Sequence, residues 1–133
     1  MTTVDTAAVA ALYARQSQAI DDGDAAAWAA TFTSDGSFES PTFGDPIIGT
    51  EALTRFAEGV YADLQDAGVR QRHWVNSIVV DPDTLVARAY LMIVRVDPEG
   101  IPSLLRHVVT TDELAVAAGS ELRVRSRHVR RDP

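Results

Sequence analysis

At Gly68 the sequence changes its period, and that change constrains the fold more than any other feature. Before it, apolar residues recur every three or four positions, the repeat of helices that bury one face. Val9, Leu12, Tyr13, Gln16 and Ile20 predict a first helix over about 4–20, ended by the turn Asp21-Asp22-Gly23-Asp24. Asp24 is placed to cap a short second helix, 25–32, with Trp28 and Phe32 one turn apart. Ser34-Asp35-Gly36 reads as a turn, 37–40 as a short strand, and the segment holding Gly44, Pro46 and Gly49 as a loop. Thr50 is expected to cap a third helix that buries Leu53, Phe56, Ala57, Val60 and Leu64, with Gly68 just past its end. After Gly68 come four strand-like segments, 71–80, 85–96, 104–116 and 122–129, joined by short turns such as Asp81-Pro82-Asp83 and Asp97-Pro98-Glu99-Gly100.

Three helices followed by hairpin-linked strands define an α+β fold in which a curved antiparallel sheet packs on helices. A sheet curved around helices encloses a cone, and small ligands bind in such hollows. With 133 residues and no internal repeat or linker, the chain is read as one domain, 1–133.

Composition removes several classes of function. No cysteine is present, so disulfides, thiol nucleophiles and thiolate metal sites are excluded. The net charge of −7 argues against a nucleic-acid partner, which needs a cationic surface. No apolar run reaches the roughly 20 residues of a membrane span, and Met1-Thr2-Thr3-Val4-Asp5 has no secretory pattern, so a cytoplasmic protein is expected. Arg123, Arg125, Arg127, Arg130 and Arg131 form a basic run read as a solvated or acid-paired strand face. Neither a glycine-rich phosphate loop nor a His-x-His or His-Glu-x-x-His spacing occurs, which leaves no expected cofactor and no expected metal.

A few polar residues stand where chemistry is possible. Gln16 lies in the apolar stripe of the first helix, where it either bonds neighbouring backbone or faces a wet or ligand-filled cavity. Asp21 sits at a helix C-terminus, where the dipole disfavours a carboxylate, and from local sequence it reads as a turn former. His73 opens a strand whose same-face neighbours are Val75, Ser77 and Val79, so it is either a structural imidazole or one that exchanges a proton near neutrality.

Ile20-Asp21-Asp22-Gly23-Asp24, then Trp28, Phe32, Asp35-Gly36 and Phe38, resemble the opening of SnoaL-like members of the nuclear transport factor 2-like superfamily. Gly49-Thr50-Glu51-Ala52-Leu53 with Phe56, Arg72-His73 with Asn76, and Asp112-Glu113-Leu114 with Arg123, Arg127 and Asp132 continue the likeness along nearly the whole chain. In scytalone dehydratase and bile-acid dehydratase a strand histidine works with an aspartate from the first helix. By position, the resemblance implies that His73 moves a proton while Asp21 orients and charges it. It also implies Asp112 as a second acid/base candidate. The first-helix tyrosine of the dehydratase and of ketosteroid isomerase falls on Gln16, and the isomerase's aspartate falls on Ser40. Candidate substrate contacts are Tyr13, Gln16, Trp28, Asp35, Tyr90 and Arg95, with Gln16, Tyr90 or Arg95 expected to hold an oxyanion.

The function expected from the resemblance is a cofactor-independent lyase, cyclase or isomerase on a hydrophobic oxygenated ring metabolite, of the kind met in polyketide-type secondary metabolism. Epoxide opening is a neighbouring chemistry. The family likeness also implies a homodimer. The alternative is a non-catalytic ligand carrier or dimeric association domain of the same shape.

Overall fold

The computed structural model describes residues 4–133. Met1, Thr2 and Thr3, read above for a leader, lie outside the described residues. Helix α1 (Thr6–Asp21) starts where the Asp5 carboxylate accepts the Ala8 amide at 2.9 Å, and it buries Val9, Leu12, Tyr13 and Gln16 on one stripe. The chain then turns through Gly23, whose φ of +80° is left-handed. A Cβ there would stand 2.7 Å from the Tyr61 ring, so only glycine lets this turn lie against the helix that carries Tyr61.

Helix α2 (Ala25–Ala30) is capped by Asp24 as expected but is shorter than the periodicity predicts. Phe32 belongs instead to strand β1 (Phe32–Glu39). The Thr31 hydroxyl donates to the Trp28 carbonyl at 2.6 Å, and the Thr31 carbonyl accepts the Val124 amide at 2.9 Å. That second bond commits the chain to the sheet one residue before Phe32. The expected turn at Ser34-Asp35-Gly36 survives as a bulge within β1. Between the pairs Phe32–Val124 and Ser37–Ser126, β1 advances five residues while the facing strand advances two.

Strand β2 (Ile47–Ile48), which the loop composition conceals, pairs with Ser37 and Phe38. Helix α3 (Thr50–Ala67) is capped by Gly49 instead of Thr50, and ends at left-handed Gly68. The remaining strands are β3 (Arg70–Asp81), β4 (Val86–Val96), β5 (Pro102–Val116) and β6 (Leu122–Arg130), each close to its expected span. They form one six-stranded sheet in the order β2-β1-β6-β5-β4-β3. The architecture is α+β with a curved sheet, as expected. The sheet is mixed, because β1 runs parallel to β6 while every other neighbouring pair is antiparallel.

The closed end of the cone is solid: Val9, Leu12, Phe32, Leu53 and Val124 are almost wholly excluded from solvent there. At the wider end the small inward residues Ala87 and Ala89 of β4 give way to Leu91 and Ile93, and the sheet and helices part to leave a hollow.

Candidate active site

The hollow has a volume of about 270 Å³. Its apolar wall is aromatic on one side, where Trp28, Phe38, Phe43 and Phe56 pack with ring centroids 4.8 to 6.3 Å apart. Val75, Leu91, Ile93, Val108 and Val129 line it from the sheet. Among the polar residues of the lining, Gln16, His73, Arg106 and Arg127 are each held by a side-chain partner.

His73 lines this cavity from β3. Its Nδ1 lies 2.5 Å from Asp21 Oδ1, and its backbone amide donates to Asp21 Oδ2 at 2.9 Å. Both carboxylate oxygens are therefore committed to one residue, which fixes the imidazole relative to the strand. The two side chains are 20% and 7% exposed, so the pair is largely shielded from water. With Nδ1–H donated to the carboxylate, Nε2 carries the lone pair, and among the described residues no protein group bonds it. Asp21 reaches this position because α1 ends there and the Gly23 turn carries the chain away.

Gln16 also lines the cavity. Its amide nitrogen donates to the Thr31 hydroxyl at 2.8 Å, and that hydroxyl passes its own proton to the Trp28 carbonyl. The sequence left open a bond to neighbouring backbone or a cavity face; Gln16 faces the cavity, and its partner is the Thr31 hydroxyl instead of backbone.

Behind the cavity wall sits a buried polar cluster. Arg127 donates from Nε and Nη2 to Asp112 at 2.9 and 2.7 Å, a bidentate pair, and the Tyr13 hydroxyl donates to the same carboxylate at 2.5 Å. Asp112 is 0% exposed. Arg127 lies 5.2 Å from the Tyr13 ring centroid and 5.9 Å from that of Phe32. Burial and the adjacent carboxylate push the Tyr13 pKa above its ordinary value, so the phenol remains a donor. For Arg127 burial works against the charge, but the Asp112 carboxylate outweighs it and holds the guanidinium cationic. Arg127 alone of this cluster reaches the cavity, placing a fixed positive charge in its wall.

Several expected residues are elsewhere. Tyr90 lies on the outer face of the sheet, 44% exposed and 5.9 Å from the His107 ring, because β4 turns Leu91 and Ile93 inward and its alternate residues outward. Arg95 is exposed near the end of β4, beyond the cavity lining. Asp35 is exposed in the β1 bulge, where it accepts the Thr33 hydroxyl at 2.9 Å. Tyr13 points to Asp112 instead of the cavity, and Asp112 is saturated by its two partners and reaches no ligand space. Trp28 and Gln16 do line the hollow.

Sequence reasoning missed Arg127 and Arg106, both of which line the cavity. The alternation of Arg123, Arg125 and Arg127 puts all three on one strand face. The structure separates them with a bulge: Glu113 pairs with Ser126 but Leu114 with Val124, so Arg125 is an extra residue and Arg127 turns inward. For Arg106 a signal existed, a cation at the even positions that Val108, Thr110, Asp112 and Leu114 share along the strand. Among the described residues no group of three or more His, Asp or Glu side chains converges as a metal site requires, and no helix is long and apolar enough to cross a membrane.

A helix-backed cone with one greasy cavity and an enclosed imidazole–carboxylate pair defines the class: an α+β pocket domain of the nuclear transport factor 2-like type. The chain belongs to the SnoaL-like domain family, whose model matches residues 1–128. Among solved structures it is similar to ActVI-ORFA from Streptomyces coelicolor, at 28% identity over 97% of this chain and 98% of that one, with a TM-score of 0.85. Aln2 from a Streptomyces species is 25% identical over 98% of this chain and 95% of its own, with a TM-score of 0.83. A protein from Catenulispora acidiphila, solved in complex with S-DNPA, is 30% identical over 92% of this chain and 90% of its own, with a TM-score of 0.78. No curated protein sequence matches the chain.

Proposed function

We propose that the chain is a cofactor-independent enzyme that moves protons on a hydrophobic, oxygenated ring metabolite, as a dehydratase, cyclase or isomerase. The observation that carries the reading is the 2.5 Å contact between His73 Nδ1 and Asp21 Oδ1 in the cavity wall, with Nε2 left unbonded by protein. A histidine held in one tautomer by a carboxylate is a better-aimed base than a free one. His73 Nε2 takes a proton from a carbon next to a carbonyl, and Asp21 stabilises the imidazolium that results. The enolate oxygen needs a donor in the wall, and Arg127 fills that role in place of Tyr90 and Arg95. Its charge is backed by Asp112, and it lines the cavity. Return of the proton from His73 to another carbon gives isomerisation; its transfer to a departing β-hydroxyl releases water and gives dehydration; attack of the enolate carbon on a second carbonyl, whose oxygen takes the proton, gives ring closure. The apolar cavity suits a ring substrate and limits water, which strengthens each of these charge interactions. The likeness to ActVI-ORFA and Aln2 supports a substrate of polyketide type.

Solvent deuterium exchange tests the first step without knowledge of the natural substrate. In D2O, the protein is expected to accelerate loss of the α-proton NMR signals of 1-tetralone or 4-chromanone. His73→Ala should reduce that rate by roughly 10²–10⁴-fold. Asp21→Asn should cost roughly 10–100-fold, because it removes the orienting charge but leaves the imidazole. Acceleration that survives His73→Ala unchanged assigns the base to another group, and no acceleration by the unsubstituted protein, while the ketone still binds, leaves a carrier and not an enzyme.

A further inference from the structure

At the mouth of the cavity two arginines converge on one neutral oxygen. Arg106 Nη1 donates to the Thr42 hydroxyl at 3.2 Å and Arg131 Nη2 to the same atom at 3.0 Å, so the two nitrogens are no more than 6.2 Å apart. Among the described residues neither guanidinium has a carboxylate partner. The acids nearby are otherwise engaged: Glu39 pairs with His128, and Asp132 lies 3.7 Å from His107 and 4.0 Å from Arg130. Asp63, on the α3 side of the lining, and Asp45, in the loop that carries Thr42, are exposed and hold neither arginine. In a chain of net charge −7 with 19 acidic residues, two adjacent cations left without an acid form a local reversal of the field.

Arg106 is a cavity residue, and its position is tied to that of the base. His73 pairs with Ile93 across β3 and β4, and Ile93 pairs with Arg106 across β4 and β5. All three line the cavity, so base, apolar floor and cation form one row across the sheet. Adjacent strands are about 4.8 Å apart, which sets the Cα atoms of His73 and Arg106 about 10 Å from each other. A ring system seated over Ile93 therefore has the imidazole at one edge and two guanidiniums at the other. The planar forks of arginine match a carboxylate in shape and charge, as they do a phosphate, and the carboxylate is the smaller of the two.

We propose that Arg106 and Arg131, bridged by Thr42, bind a carboxylate borne on the ring substrate, so that the substrate class is an aryl or fused-ring acid whose reactive carbon lies across the ring from its acid group. This rests on the reading of the cavity as a substrate pocket, but not on turnover. Thr42 holds the guanidiniums in the absence of ligand, and the carboxylate replaces it as their shared acceptor. The arginines are substrate-positioning residues; they set which edge of the ring meets His73.

The test is a matched pair of probes, 2-naphthaleneacetic acid and 2-naphthaleneacetamide, titrated into the protein with intrinsic tryptophan fluorescence as the readout. The acid is expected to bind at least tenfold more tightly than the amide. Arg106→Gln and Arg131→Gln should each shrink that ratio severalfold, and the preference should weaken as salt is raised. Because the ratio is taken within each variant, partial loss of folded protein does not change it. Equal affinity for acid and amide in the unsubstituted protein, a ratio unmoved by both substitutions, or no detectable binding of the acid at millimolar concentration overturns the proposal. Acetate serves as the third arm: if it protects the protein as well as the naphthyl acid does, the site takes a free small anion and the substrate assignment fails. Deuterium exchange lost in His73→Ala with no acid preference sinks only the carboxylate site; an intact acid preference with no exchange sinks only the acid/base reading.

Discussion

Asp112→Asn isolates what the buried cluster costs when its charges no longer cancel. The substitution keeps the side-chain shape, so it creates no cavity. It removes the counter-charge from Arg127, whose side chain is only 11% exposed and whose Nε and Nη2 both point at the missing charge. A guanidinium left unpaired in such a place destabilises a fold by about 3–5 kcal/mol, more than the net value of the intact pair, because desolvation is no longer offset. The Tyr13 hydroxyl keeps an acceptor in the asparagine carbonyl only if the amide donors turn toward Arg127, so one of the two interactions is frustrated in either orientation. For 133 residues the unfolding entropy is roughly 280 cal/mol/K, which converts the loss into a fall in Tm of about 11–18 °C. Urea unfolding followed by tryptophan fluorescence, with the m-value checked for constancy, measures it directly. The companion variant Tyr13→Phe/Asp112→Leu/Arg127→Met removes every polar member at once and should recover most of the loss, since an apolar replacement of a buried ion pair is near neutral. If Asp112→Asn costs less than about 1 kcal/mol, or the triple variant is no better than the single one, uncompensated burial is not what makes Asp112 indispensable.

Alkaline pH reads the same cluster from the phenol side. Tyr13 is held protonated above its ordinary pKa of 10.0 while the unfolded chain ionises there, so its contribution to stability is fully present below about pH 10 and declines as pH rises beyond it. The slope is about 1.4 kcal/mol per pH unit. The chain has no lysine, which leaves this window to its 3 tyrosines, and Tyr13→Phe should remove one proton's worth of slope. Phenolate absorbance supplies a second check: the native-state amplitude should be identical in the parent and Tyr13→Phe until the fold opens. At the turn that follows Asp21, Gly23→Ala combines a left-handed φ with a Cβ 2.7 Å from the Tyr61 ring, and is expected to destabilise by about 1–3 kcal/mol in urea unfolding. Loss of deuterium exchange beyond the loss of folded protein would show that the turn also sets the reach of Asp21.

What could be read from the sequence is what depends on neighbours a few residues away. The stripes of α1 and α3, the Asp24 cap and the Gly68 stop are local patterns, and all appear where the spacing puts them. His73 and Asp21 were found only through the family resemblance, because their 52-residue separation leaves no local trace of the contact. The second helix was overextended for the complementary reason. Trp28 and Phe32 do pack, with centroids 5.0 Å apart, but across a helix-to-strand junction that β6 enforces through Thr31.

The errors at Arg127, Arg106 and Asp35 share one cause, the irregularity of the strands. A strand's alternation tells inside from outside only while no residue is inserted, and each bulge exchanges the two faces from that point on. This sheet has bulges at Arg125 in β6, at Leu105 in β5 and across 33–36 in β1. Arg127, which a regular β6 leaves beside Arg123 and Arg125 on the outer face, is carried into the cavity by the first. Just after the second, Arg106 pairs with Ile93 and enters the row that begins at His73. The third takes Asp35 out to solvent. Both cations in the cavity lining thus stand within two residues of a bulge, so deleting the inserted residue tests the idea. Removal of Arg125 should turn Arg127 outward, leave Asp112 unpaired, and cost at least as much stability as Asp112→Asn in the same urea assay. A deletion tolerated with the parent's stability would mean that the Arg127–Asp112 pair forms without the bulge.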